Sequence, residues 1–214
     1  MSKFTTFRRD KIFSGMWIHG RSHNTIGWLI RFAENRWEHR TCDKLGVPDA
    51  DVWGNHDGIM IGPNIPHAGP DWCIGEALAQ GNVLTSVEEY EKQLAAGSYE
   101  VRVFQPAFIL DDVRAVCYEA ARKWTENEEG HGYDYTAYIG LMLRCFLGMN
   151  DWNTDERNRF YCTEAVETCF KQAGLDILQD RFMAPFHVEQ VAGLIPKPVG
   201  RQITLKEITS EMMA

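Results

Sequence analysis

Residues 159–175, RFYCTEAVETCFKQAGL, constrain the fold of this chain more than any other stretch. After a short extended lead-in, Ala165, Val166, Cys169 and Phe170 recur at helical spacing and make one apolar stripe. Gly174, following Lys171 and Gln172, has the position of a glycine that ends such a helix. The helix therefore has one face to bury, and its first turn carries Cys162. Backbone N–H groups there point outward without intrahelical partners, and the helix dipole is positive. A thiol so placed is more acidic than the free value of about 8.5, because its thiolate gains those donors. Cys169 lies two turns along the same stripe, has no such donors, and is expected to be inert core.

A helix of this kind needs a partner layer, and the chain is long enough to supply one. At 214 residues it suits one substantial domain with a sizeable core. No repeats, low-complexity tracts or linkers interrupt it. A single domain over 1–214 is expected, with its core at about 12–191 and a polar C-terminal tail that is only partly ordered. The formal charge of −8 argues against a nucleic-acid partner, which favours a basic surface. The longest apolar run, near 137–143, is broken by Arg144 and falls short of the ~20 residues of a membrane span. MSKFTTFRRDKIF at the start has charges but no continuous apolar region, so no secretory leader is expected. Six cysteines are scattered without a CxxC pair. A reduced, cytoplasmic setting follows, in which Cys162 is free to react.

Along the chain, residues 12–18 form a short apolar stretch, and Gly20, Arg21 and Ser22 read as a turn. Asn24 or Ser22 can cap a helix through Trp37, with Ile26, Leu29, Ile30, Ala33 and Trp37 on one face. Residues 38–54 are polar, with Gly46, Pro48 and Gly54 as breakers, and read as a loop. Residues 55–62, NHDGIMIG, are a strand candidate opening with His56, and 72–81 read as its antiparallel partner across a proline-rich loop. Side chains alternate on a strand, so Trp72, Ile74, Glu76 and Leu78 share a face. A carboxylate among apolar neighbours needs a partner. Ser86 and Glu89 have capping-box spacing for a helix over 85–96, ended by Gly97. Residues 99–105 alternate as a third strand, and Asp111 or Asp112 caps a periodic helix carrying Val113, Val116, Cys117 and Trp124. Tyr133 and Asp134 lead into an apolar, helical segment to Leu147, and Pro185 starts a last helix toward Val191.

Thiol catalysis needs a thiolate, an imidazole to take and return its proton, and a group to orient the imidazole. Cys162, His56 and Glu76 supply those three types. Adjacent antiparallel strands can set His56 beside Glu76, and a helix packed across the sheet can aim its N-terminus at the imidazole. The order along the chain, histidine before cysteine, is the reverse of papain. His19 with His23, and His39 with Cys42, have ligand-like spacing, but neither pair has a second pair at matching distance. They read as ordinary surface residues, and neither a metal nor another cofactor is expected.

With these pieces in place, the chain resembles the circularly permuted papain-like cysteine hydrolases, the YiiX/YebB-like members of the NlpC-type superfamily. Lecithin:retinol acyltransferase belongs to the same wider assembly. The resemblance rests on GWLIRF at 27–32, HDGIMIG at 56–62, IGEA at 74–77, Gly132-Tyr133-Asp134, and Phe160-Tyr161-Cys162-Thr163-Glu164. It departs at Gly15, followed by Met16 where members often have Gly-Asp, and in the long loop before His56. The resemblance implies a Cys-His-Glu triad in which Cys162 is the nucleophile, His56 the base and Glu76 the third member. His67 competes with Glu76 for that place, since acyltransferase relatives use a second histidine there. Tyr133, Asp134 and Tyr161 are candidate groove-lining, substrate-binding residues.

The expected fold is α+β and permuted papain-like: a small antiparallel sheet with helices packed mainly on one side, the Cys162 helix among them. The expected function is a cysteine peptidase or amidase that cleaves an amide in a peptide or cell-wall peptide through a thioester. Acyl transfer or lipid hydrolysis on the same residues, and a binding protein on the same fold without turnover, are the alternatives. The expected partner is thus a peptide or acyl substrate.

Overall fold

In the computed structural model, which describes residues 4–47, 49–63, 71–78, 81–106, 139–140, 142–143, 162–172, 174–178, 184–195 and 205–214, six strands form one sheet. They are β1 (Trp17–Ser22), β2 (His56–Ile61), β3 (Cys73–Leu78), β4 (Gly81–Ser86), β5 (Tyr99–Pro106) and β6 (Leu205–Glu207). The order across the sheet is β4-β3-β2-β1-β5-β6, and every neighbouring pair is antiparallel. The helices named among the described residues are α1 (Thr25–Leu45), α2 (Val87–Ala95), α3 (Cys162–Gln172), α4 (Pro185–Val191) and α5 (Thr209–Met212). The architecture is α+β.

Strand alternation divides the core in two. Trp17, Ile59, Ile61 and Phe104 turn to one face, where they meet Val166, Cys169 and Phe170 of α3 and Val188 and Val191 of α4. Phe170 stacks on Trp17 with ring centroids 5.6 Å apart. The apolar stripe of α3 is buried as its spacing requires, and Gly174 leaves the helix at φ 79. Ile18, Met60, Ile74, Val101 and Val103 turn to the other face, against Val87, Tyr90 and Leu94 of α2 and Met212 of α5. Helices therefore cover both faces rather than mainly one, because both sets of alternating strand residues are apolar.

Several boundaries differ from the sequence expectation. Residues 20–22 continue β1 instead of turning, paired to β5 through Ser22↔Tyr99. The helix capped by Asn24 runs to Leu45, not to Trp37. Its last turns carry polar residues that are buried against polar partners, which hides the periodicity. Glu38 accepts from Gln190 Nε2 at 3.1 Å and from Cys42 Sγ at 3.8 Å. β4 occupies residues assigned to a strand end and a helix start, so α2 begins at Val87, with Ser86 Oγ accepting from Glu89 N. The tail supplies β6 and α5, anchored by buried Leu205, Ile208 and Met213. The helix expected after Asp111 or Asp112 lies outside the described residues.

Candidate active site

β2 and β3 carry the first two candidate groups. Register places Glu76 opposite Gly58, two residues along from His56 and on the same face. From there Glu76 Oε2 lies 2.6 Å from His56 Nε2. The carboxylate is buried, and its need for partners is met three times. Thr85 Oγ1 of β4 donates to Oε1, and Tyr90 Oη of α2 donates to Oε2 at 2.5 Å. Burial pushes the acid up, but the bond to His56 and the hydroxyls of Thr85 and Tyr90 outweigh it, and Glu76 sits below the usual carboxylate range.

Cys162 is the first residue of α3, and its side of the helix is packed on β2 and β3. Cys162 lies near enough to the His56 ring to favour its charged form. Burial disfavours the charged ring, yet Cys162 and Glu76 together hold His56 well above the ordinary histidine range. The His56 side chain keeps 16% exposure, so the site opens to solvent at the imidazole while the carboxylate behind it is sealed at 4%. His56 and Glu76 are thus bonded to one another, and Cys162 opens the helix packed on the strands that carry them. Tyr133, Asp134, Tyr161 and His67 lie outside the described residues.

A second network stands behind this one and was not foreseen. His19, read from sequence as a surface residue, has no exposed surface. Its Nδ1 is 2.8 Å from Asp57 Oδ1, and its Nε2 is 3.2 Å from Glu189 Oε1. Asp57 also accepts from Trp17 Nε1 at 2.8 Å and from Thr163 Oγ1 at 2.6 Å. Glu189 Oε1 accepts from the backbone N–H groups of Trp53 and Gly54, each at 2.9 Å. Burial alone lowers a histidine, but the two carboxylates overcome it and raise His19 to about 9. Glu34 lies close by, raised well above the usual carboxylate range first by burial and then by the charges of Glu189, Cys162 and Asp57.

This network ties together the supports of the candidate site. Thr163 follows Cys162, Asp57 follows His56, and Trp53 and Gly54 lead into β2. One buried imidazolium therefore fixes the start of α3, the start of β2 and α4 relative to one another. The available signal was local: a histidine inside the apolar run WIHG, and hydrogen-bonding residues immediately after each of the two catalytic candidates. Cys42 is likewise buried rather than at the surface, whereas His23 is exposed and sits 2.9 Å from Glu100. Among the described residues no three His, Cys, Asp or Glu side chains are grouped so as to hold a metal ion. Among them, too, no helix is long and apolar enough to cross a membrane.

No family model matches the chain, and no curated protein matches it. Among solved structures, it is similar to the crystal structure of metalloprotein YiiX from Escherichia coli O157:H7, at 14% sequence identity and a TM-score of 0.48. That similarity covers 92% of this chain and 89% of the other.

Proposed function

We propose that the protein is a cysteine hydrolase with a permuted papain-like arrangement, cleaving an amide bond through a thioester formed on Cys162. The observation that supports this reading is the His56 imidazole bonded to the Glu76 carboxylate at 2.6 Å, on strands against which the helix that begins with Cys162 is packed. Cys162 thiolate attacks the carbonyl carbon of the amide. The backbone N–H of Cys162, at the helix start, is one donor to the developing oxyanion. His56, raised so that its protonated form is favoured, delivers a proton to the departing amine, leaving the acyl group on sulfur. Neutral His56 then takes a proton from water, which attacks the thioester and releases a carboxylic acid and the thiol. Glu76 touches no reacting atom; it orients the ring and favours its charged form. A peptide or a cell-wall peptide is the substrate class proposed.

Iodoacetamide labelling of the folded protein at about pH 6, followed by peptide mapping, tests the premise. Cys162 should label well ahead of the buried Cys42, Cys73 and Cys169, and His56→Ala should abolish that lead. Equal, slow labelling of all four would refute the nucleophile. Assays of the native and alkylated protein on peptide amides and on lipid esters then separate amidase from lipid chemistry, since only the true substrate's turnover is lost on alkylation.

A further inference from the structure

A cavity of about 420 Å³ lies on the α3 and α4 side of the sheet, beyond the His19 network. Its wall includes Arg21, Arg31, Arg102, Trp53, Asp51 and Glu189. Strand register explains how two of the arginines converge. Arg102 is directly opposite His19, and Arg21 is two residues beyond His19 on the same strand, so all three side chains share a face. Arg31 reaches the same space from α1, two turns past the Asn24 cap, and donates to Ser22 O at 2.8 Å. The Arg102 guanidinium lies 4.4 Å over the Trp53 ring.

What distinguishes this cavity is missing neutralisation. Among the described residues none of the three arginines forms an ion pair, and Arg21 Nε is buried with no hydrogen-bond partner. The nearby acids are already committed. Glu189 is taken up by His19, Trp53 N and Gly54 N, and Asp51 is 89% exposed with His39 at 3.6 Å. Glu100 is held by His23, and burial raises Glu34 well above the usual carboxylate range, which disfavours its charged form. Burial and the charge of Arg21 lower Arg31 from its ordinary value, and Glu34 and Glu100 offset them only in part. In a chain of formal charge −8, three such groups around one cavity are an unspent attraction for an anion.

We propose that the cavity walled by Arg21, Arg31 and Arg102 is a binding site for an oxyanion, a phosphate or carboxylate group carried by a soluble ligand. The planar, forked donors of arginine match both groups in geometry, and Trp53 holds the Arg102 fork in place from below. Glu189 and Trp53 form the partition between this site and the His19 network. The assignment stands whether or not Cys162 is a nucleophile.

Titration calorimetry of the whole protein with inorganic phosphate, and separately with N-acetylglycine, tests it and tells the two anion chemistries apart. Saturable one-site binding of either is expected. Arg21→Met, Arg31→Met and Arg102→Met should each weaken it about tenfold, the loss of one charge-assisted hydrogen bond. Lys92→Met, an equal charge loss on the far side of the sheet, should not change it. Should a variant fail to fold, phenylglyoxal modification of the wild-type protein gives the same reading. The bound anion should protect Arg21, Arg31 and Arg102 while leaving Arg8 reactive. Absence of saturable binding by both probes, or binding that all three variants retain at full strength, overturns the assignment.

Discussion

His19 gives this protein a dependence of stability on pH that its exposed histidines cannot. In the unfolded chain its ring titrates near 6.5, and in the folded protein near 9. The folded state therefore holds its proton more tightly, and the stabilisation is complete below about pH 6.5. It is lost as pH rises, and is gone once pH passes about 9. The rise from 6.5 to about 9 corresponds to ~3 kcal/mol. For a chain of 214 residues that is a change of ~6–12 °C in melting temperature. The assay is a set of thermal melts of the wild type and His19→Gln between pH 6 and 9.5. His56 is raised as well, and Glu167 is raised to about 8, so the wild type alone loses stability with pH for several reasons. Those groups are common to both proteins and cancel in the difference. The gap between wild type and variant should shrink by ~3 kcal/mol across the window. A gap that stays constant from pH 6.5 to 9 refutes a charged, doubly paired His19. The same follows from a wild-type NMR titration that finds the ring's midpoint at or below 6.5.

Two further outcomes follow from the geometry. Glu76→Gln removes the charge that helps to raise His56, so the pH 6 alkylation rate of Cys162 should fall about tenfold, a change of ~1.4 kcal/mol; an unchanged rate argues against any part for Glu76 in setting the ring. Phe170→Ala empties a fully buried site stacked on Trp17 and should cost ~3–5 kcal/mol in urea unfolding, whereas a loss below ~1 kcal/mol would mean that α3 is not seated by that contact.

The pairing of His56 with Glu76, and the helix that begins at Cys162, were legible in the sequence because each carried a local signature. A helix start at an apolar stripe, a strand that opens with histidine, and an acid in the apolar register of the next strand are all short-range patterns. Glu76 was expected to need a partner, and it has three. The network behind the site was not legible, since its partners lie up to 170 residues apart and look like ordinary polar residues. The misread turn at 20–22 has a similar cause. Gly20 suggests a bend, but it stays in β1, because a Cβ there would lie only 1.8 Å from Tyr99 Oη. The glycine answers a neighbouring side chain, not the direction of its own backbone. In the last turns of α1 and in the tail, buried polar pairs and a few isolated apolar anchors replace the periodic stripes on which sequence reading depends.

The bonds from Trp53 and Gly54 to Glu189 bear on how the segment before His56 moves. Those two amides are closed by a carboxylate whose other partner is the buried His19 ring. Hydrogen exchange at these two amides is therefore expected to be slow, and a measured rate close to that of the exposed amides would show that the bonds to Glu189 do not hold. The segment leading into His56 is thus pinned from behind by α4, on the side away from Glu76.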